Sequence, residues 1–220
     1  RTLLICNLKP DNTTRHIQPG KDISMDALRA KKAFICDMDG VIYHGNQLLP
    51  GVIKFLDWLR KEHKKFLFLT NSSEHSPREL REKMLRLTVQ INEAHFYTSA
   101  LATAEFLARQ CPDGSVFVIG EAGLTSALYD AGFSMNDTNP DYVVVGETRN
   151  YSYDRLERAV HLVRNGAKLI GTNPDLTDPS EKGFVPATGA LIAPIELAAG
   201  LKAYFVGKPN PLMMRHALKK

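Results

Sequence analysis

The stretch Ala33-Phe34-Ile35-Cys36-Asp37-Met38-Asp39-Gly40 joins a short apolar run to two acidic residues. The apolar run is typical of a strand that is buried on both faces of a parallel sheet. Two carboxylates at the end of such a strand project into one crevice, which is costly unless a cation neutralises them or one keeps its proton. Mg²⁺ is the natural cation, because carboxylate and phosphate oxygens are its usual ligands. The same residue types also occur in ordinary turns, so the stretch alone leaves a turn open.

Outward from this stretch, short β-branched or aromatic runs alternate with longer helical patterns, which is typical of βαβ units on a parallel sheet. The segment Cys111-Pro112-Asp113-Gly114 is the clearest interior boundary signal. The predicted strands before the boundary are 33–36, 66–69 and 96–97, and those after it are 116–119, 142–145, 168–170 and 204–206. We therefore predict an α/β fold.

Composition excludes several classes of protein. The chain has 220 residues, 44% of them hydrophobic, and a formal net charge of +4, which suits a globular protein with an anionic ligand. Lys and Arg form no dense run, so nucleic acid is not an expected partner. No apolar run approaches the roughly 18 residues of a membrane span. Cys6, Cys36 and Cys111 show no paired spacing, and we expect a cytoplasmic protein.

Polar residues follow two further predicted strands. Thr70-Asn71-Ser72-Ser73 supplies hydroxyl, amide and backbone N–H groups before a helix, and Lys208 follows the last strand. These groups suit a phosphate, although each segment alone is also compatible with a solvated loop or a surface lysine. Because the carboxyl ends of parallel strands share one edge, three such segments in order favour a ligand site there.

The chain resembles the haloacid dehalogenase superfamily of phosphatases, and within it the NagD-like branch. The resemblance covers nearly everything from Ala33 to the C-terminus. The matching segments are DMDGVIYHGN, LLPGV, LTNSS, FYTSALATAEFL, VGETRNYSYDRL, GTNPD, PATGALIAPIE and YFVGKPNP.

The resemblance implies a role for each residue of the predicted site. Asp37 would be the nucleophile and form an aspartyl-phosphate, and Asp39 would act as general acid and then general base. Mg²⁺ would be held by the Asp37 side chain and the Asp39 backbone carbonyl. The residues expected to bind or neutralise the phosphoryl group are Gly40, Thr70, Asn71, Ser72 and Lys208.

The resemblance also implies a division into domains. Residues 25–112 and 202–220 would form a Rossmann-like core, and residues 113–201 an inserted α/β cap. In the cap, Asn173, Pro174 and Asp175 are the candidates for substrate contact, with a rigid turn as the alternative. Tyr43 and His44 are expected near the entrance of the crevice.

The sequence departs from the family pattern in one respect. The third acidic loop of the family, a Gly-Asp segment beyond the Lys-Pro motif that supplies a further Mg²⁺ ligand, has no counterpart after Pro211. We expect the parent protein to continue beyond Lys220. At the other end, residues 1–24 are expected to form a poorly structured extension, with Met25 as the natural start.

The resulting functional hypothesis is a Mg²⁺-dependent phosphatase for a small phosphate monoester, either a nucleoside monophosphate or a sugar phosphate. Transfer of the phosphoryl group to a sugar acceptor is left open. A catalytically silent phosphate-binding protein is also left open, and the sequence does not decide whether the protein forms a homo-oligomer.

Overall fold

The computed structural model describes residues 24–180 and 183–220. Cys6 and all but the last residue of the predicted N-terminal extension therefore lie outside the described residues. The helices and strands are, in chain order, α1 (Met25–Arg29), β1 (Ala33–Asp37), β2 (Tyr43–His44), β3 (Gln47–Leu48), α2 (Val52–Lys61), β4 (Lys65–Thr70), α3 (Pro77–Arg86), β5 (Phe96–Thr98), α4 (Ser99–Gln110), β6 (Ser115–Ile119), α5 (Ala122–Asp130), β7 (Ser134–Met135), β8 (Tyr142–Val145), α6 (Tyr153–Arg164), β9 (Lys168–Gly171), β10 (Thr177–Ser180), β11 (Gly183–Pro186), α7 (Thr188–Ala199), β12 (Tyr204–Phe205) and α8 (Pro211–Ala217).

The first sheet is parallel and has the strand order β1-β4-β5. Its register places Asp37 opposite Leu69, and Thr70 opposite Thr98. Asp37 and Thr70 are therefore the last residues of neighbouring strands and lie at the same edge of the sheet. The predicted α/β fold with parallel sheets is confirmed.

The second sheet is also parallel and has the order β12-β9-β8-β6-β7. Its edge strand is β12, in which Tyr204 pairs with Ile170 of β9. The physical reason for this pairing is the connection: α7 returns the chain alongside β9, which is the usual crossover between neighbouring parallel strands.

One apolar cluster joins the two sheets. It contains Leu69 of β4, Leu107 of α4, Leu128 of α5, Val144 of β8 and Met213 of α8. The boundary signal at residues 111–114 therefore marks a turn at the surface and does not divide the hydrophobic core.

The sequence patterns did not predict the antiparallel hairpin of β10 and β11 or the helix α7 that follows it. Prolines at 179 and 186 disfavour strands in general, and Pro194 lies inside α7. The hairpin forms a separate two-stranded sheet, where a missing N–H is tolerated. None of the described helices is long and apolar enough to cross a membrane.

Leu107 tests whether the shared cluster stabilises the whole fold. Its side chain is fully buried, so we expect Leu107→Ala to lower the free energy of unfolding by about 2–5 kcal/mol, measured by urea denaturation. Leu85→Ala is the control, because Leu85 is 53% exposed on α3, and its effect should stay within about 0.5 kcal/mol. Equal effects of the two substitutions would contradict the role of the cluster.

Candidate active site

An open crevice of about 1220 Å³ lies at the carboxyl edge of the first sheet, between that edge and the β10–β11 hairpin. Its lining brings together the end of β1, the loop after β4 and the loop after β12. The predicted site residues that line it are Asp37, Asp39, Thr70, Asn71, Ser72, Asp175 and Lys208.

Asp37 and Lys208 form an ion pair at the centre of the crevice. Lys208 Nζ lies 2.7 Å from Asp37 Oδ1, and the same oxygen accepts the Met38 N–H at 2.9 Å. Both bonds use Oδ1, so neither of these donors occupies the other carboxylate oxygen of Asp37. The side chains of Asp37 and Lys208 remain 37% and 28% exposed, which makes the pair accessible to a ligand.

Asp39 is exposed to the crevice and is oriented by two hydroxyl groups. Thr70 Oγ1 donates to Asp39 Oδ2 at 3.1 Å, and the buried Tyr43 side chain also hydrogen-bonds to the Asp39 carboxylate. Burial, and then the charge of Asp39, raise the pKa of Tyr43. Tyr43 therefore keeps its proton and serves as a donor. It lies beneath the crevice, whereas the sequence suggested a place at the entrance.

The structure assigns Gly40 a different role from the one expected. Its N–H donates to the Tyr43 carbonyl at 2.8 Å and is not available to a phosphate. Its φ of +69° lies in the left-handed region, which an L side chain rarely adopts. Gly40 thus makes the turn that brings Tyr43 back under Asp39.

Asn71 holds the backbone of Lys208 with both ends of its amide. Lys208 N–H donates to Asn71 Oδ1 at 2.8 Å, and Asn71 Nδ2 donates to the Lys208 carbonyl at 3.0 Å. The Asn71 amide nitrogen also donates to Asp175 Oδ2 at 2.7 Å. These bonds fix the position from which the Lys208 side chain reaches Asp37.

The loop after β4 is itself braced from inside. Ser72 N–H donates to Thr70 Oγ1 at 3.0 Å, and the Asn71 carbonyl accepts Ser99 Oγ at 2.5 Å. Ser73, which the sequence did not single out as a site residue, is fully buried behind the loop.

The three cap candidates occupy different environments. Asn173 is fully buried, and its amide donates to the Asn71 carbonyl at 2.8 Å, so its side chain supports the crevice and does not face it. Asp175 is only partly buried and lines the crevice, with its N–H held by Asn173 Oδ1 at 3.1 Å. Pro174 lies between them, and its carbonyl is close to Gly189 of α7. Asp175 is therefore the one of the three that can meet a substrate with its side chain.

The acidic residues of the crevice fit Mg²⁺. The free oxygen of Asp37 and the backbone carbonyl of Asp39 are hard oxygen donors at one edge. The described residues, 24–180 and 183–220, contain no cluster of three or more His, Cys, Asp or Glu side chains that could hold a metal. These two donors are compatible with Mg²⁺, which usually keeps several waters and also binds the phosphate of the substrate.

Asp178 of β10 provides a test of the electrostatics of the crevice. Burial, and then the carboxylates of Asp175 and Asp39, raise the pKa of Asp178 from its ordinary value of 3.8 to about 6. In the folded state it thus keeps a proton that the unfolded chain releases, and its ionisation costs stability as the pH rises from about 4 to about 6.

We expect Asp178→Asn to be more stable than the wild type at pH 7 and nearly equal to it at pH 4, because only the wild type ionises. Urea denaturation with a chelator present measures both differences. Asp130→Asn, on the exposed end of α5, is the control and should show no such dependence on pH. A gain for Asp178→Asn that is the same at both pH values would contradict the raised pKa.

Comparisons with known proteins identify the family of the chain. Residues 34–134 match the family model of haloacid dehalogenase-like hydrolases. The chain is 44% identical to a dihydroxyacetone phosphatase of Corynebacterium glutamicum, over 84% of this chain and 68% of that protein. It is 43% identical to the ribonucleotide monophosphatase NagD of Escherichia coli, over 86% of this chain and 74% of that protein.

Solved structures show the same fold. The structure of NagD from Escherichia coli is similar with a TM-score of 0.78 at 41% identity, covering 86% of this chain and 73% of that chain. A glycerol phosphate phosphatase from Mycobacterium tuberculosis, in complex with magnesium, is similar with a TM-score of 0.79 at 29% identity, covering 85% of this chain and 57% of that chain. The protein belongs to the haloacid dehalogenase-like hydrolases and, within them, to the NagD-like phosphatases.

Proposed function

We propose that the protein is a Mg²⁺-dependent phosphatase that hydrolyses a small phosphate monoester through an aspartyl-phosphate on Asp37. The observation that supports this most directly is the accessible Asp37–Lys208 pair beside the exposed Asp39 carboxylate. A dianionic phosphate approaches a carboxylate only where positive charge lies nearby, and Lys208 provides it from the side of Oδ1.

In the first step, the free carboxylate oxygen of Asp37 attacks phosphorus, and the bond from phosphorus to the ester oxygen breaks. Asp39 donates its proton to that leaving oxygen, which departs as an alcohol. The bonds from Thr70 and Tyr43 hold the Asp39 carboxyl group in one orientation during this transfer.

In the second step, water attacks the phosphorus of the aspartyl-phosphate. Asp39, now a carboxylate, accepts a proton from that water, and the bond between phosphorus and Asp37 breaks. Inorganic phosphate leaves, and Asp37 is again a carboxylate. Lys208 and the loop after β4 are placed to bind the phosphoryl oxygens in both steps.

Asp37, through its side chain, and Asp39, through its backbone carbonyl, would hold Mg²⁺. The ion would neutralise negative charge on the phosphoryl group and orient it towards Asp37. The family resemblance implies a further acidic ligand, from the loop that follows the Lys-Pro motif in the family.

The second sheet and its hairpin support a small substrate. Asp175 and Asp178 line the crevice opposite Asp37, with the apolar side chain of Val185 beside them. We assign residues 113–201 the role of a cap that closes over the part of the ester remote from phosphorus. Relatives named as dihydroxyacetone phosphatase, ribonucleotide monophosphatase and acid sugar phosphatase suggest sugar phosphates and nucleoside monophosphates as the first esters to assay.

Asp37→Asn tests the nucleophile. We expect turnover of a panel of sugar phosphates and nucleoside monophosphates by the complete enzyme to fall at least about 10³-fold, because the amide cannot form the aspartyl-phosphate. Intact mass after acid quenching should show one added phosphoryl group in the wild type and none in the variant. Asp57→Asn, with a side chain 65% exposed on α2, should turn over like the wild type. Unchanged turnover by Asp37→Asn would refute the mechanism.

Removal of the metal tests the cofactor. An excess of chelator should lower turnover on the order of 10²-fold or more, since a bound metal contributes several kcal/mol to charge stabilisation in the transition state. Addition of Mg²⁺ should restore turnover to the original rate. Circular dichroism before and after chelation would show that the fold persists. Full turnover in excess chelator would overturn the assignment of Mg²⁺.

A further inference from the structure

Glu147, just beyond the end of β8, is a buried carboxylate that the mechanism above does not use. Only 9% of the residue is exposed. Its Oε2 accepts the Ser73 N–H at 2.6 Å and the Ser73 hydroxyl at 2.8 Å, and its Oε1 accepts the Asn173 amide at 2.6 Å. All three partners donate, which matches a carboxylate because an ionised carboxylate is only an acceptor.

These bonds lead from Glu147 to the proposed nucleophile. Asn173 donates both to Glu147 and to the carbonyl of Asn71, and Asn71 holds the backbone of Lys208. Lys208 in turn contacts Asp37. Every link is a hydrogen bond between groups that are buried or partly buried, where such bonds restrict motion most.

We propose that Glu147 is a positioning residue for the phosphoryl-binding loop, which we define as residues 71–73, and through that loop for Lys208. The proposal rests on the phosphatase function proposed above. Under this proposal the second sheet both covers the substrate and positions the loop, because Glu147 directly follows β8 of that sheet.

The packing around Ser73 shows direct contact between the second sheet and the phosphoryl-binding loop. A Cβ at Gly146, directly after β8, would lie 2.4 Å from Ser73 Oγ, so the chain approaches the loop closely at this point. Thr172 at the end of β9 also donates to Ser73 Oγ, at 3.2 Å. Residues directly after β8 and β9 of the second sheet therefore contact the buried side of the loop.

The pKa of the Glu147 carboxyl group lies near neutral pH. Burial raises the pKa of Glu147 to about 7, against the lowering effect of its hydrogen bonds from Ser73 and Asn173, and the carboxylate of Asp178 raises it further. A neutral amide of the same shape cannot accept from both sides. Glu147→Gln therefore turns a donor towards either Ser73 or Asn173 and leaves one of them without its acceptor.

The experiment compares Glu147→Gln with the wild type in the complete, Mg²⁺-loaded enzyme, at equal concentrations of folded protein. We expect kcat/KM for a phosphate ester to fall about 10²-fold, the cost of misplacing a binding group by about 1 Å. The inhibition constant of inorganic phosphate should rise, because the loop that binds its oxygens is displaced. If Glu147 only stabilised the fold, Glu147→Gln would lower the unfolding temperature and leave the inhibition constant of phosphate unchanged.

Asp141→Asn is a matched control. Asp141 Oδ2 accepts the N–H and the hydroxyl of Ser115 at 2.7 and 2.9 Å, the same pair of bonds that Glu147 makes to Ser73. It lies at the opposite end of the second sheet, directly before β8 and beside Ser115 at the start of β6. The substitution should leave kcat/KM and the phosphate inhibition constant within about twofold of the wild type, as expected for a site remote from the chemistry.

Ser73→Ala keeps the proposal testable if Glu147→Gln fails to fold. It keeps the Ser73 N–H bond to Glu147 but removes the hydroxyl, which donates to Glu147 Oε2 and accepts from the Glu147 N–H and from Thr172. It should lower kcat/KM about tenfold, again with weaker inhibition by phosphate. Wild-type values of both constants in folded Glu147→Gln or Ser73→Ala, with Asp37→Asn inactive, would overturn the positioning role alone. Turnover by Asp37→Asn would overturn the proposed function itself.

Discussion

Repulsion between Asp37 and Asp39 is the constraint on which the rest of the crevice depends. Both carboxylates lie at the end of one strand and face the same space, and Asp175 and Asp178 add further negative charge from the opposite wall. Like charges in one crevice favour a bound cation or a retained proton. Burial, and then the carboxylates of Asp175 and Asp39, raise the pKa of Asp178 in this way. Lys208 offsets part of the charge, and a hard cation can offset more. A metal bound together with a phosphate would relieve the repulsion that Lys208 alone leaves between the carboxylates.

Placing one lysine against Asp37 requires structure far from it in sequence. Lys208 and Asp37 are 171 positions apart, and the second sheet lies between them along the chain. Pairing of β12 with β9 brings the chain back to the crevice, and Asn71 then fixes the backbone of Lys208. A long flexible side chain would otherwise lose considerable conformational entropy on forming such a pair. Holding its backbone leaves only the side-chain rotamers to be ordered.

Much of the fold and the centre of the site could be predicted from sequence, because both depend on local patterns. Buried strands followed by polar residues gave the positions of Asp37, Thr70 and Lys208, and parallel pairing explains why they meet. The place of β12 could not be predicted, since a two-residue strand carries no signal for its partner. The same holds for Gly40, Tyr43 and Asn173, whose roles depend on which long-range hydrogen bond each one makes. Nothing in the sequence around Glu147 identifies Ser73 as its partner.

The unequal predictability of these residues has a physical origin. Groups that contact a ligand must be exposed, polar and at a strand end, so their residue types reveal them. Groups that hold those residues are buried, and burial is tolerated only where every donor finds an acceptor. Their identity is therefore set by three-dimensional neighbours, as the three donors around Glu147 illustrate. A buried carboxylate surrounded only by donors is costly to place and is weak evidence for stability by itself. Because Glu147 lies directly behind the phosphoryl-binding loop, its hydrogen bonds help to orient Asn71 and Lys208.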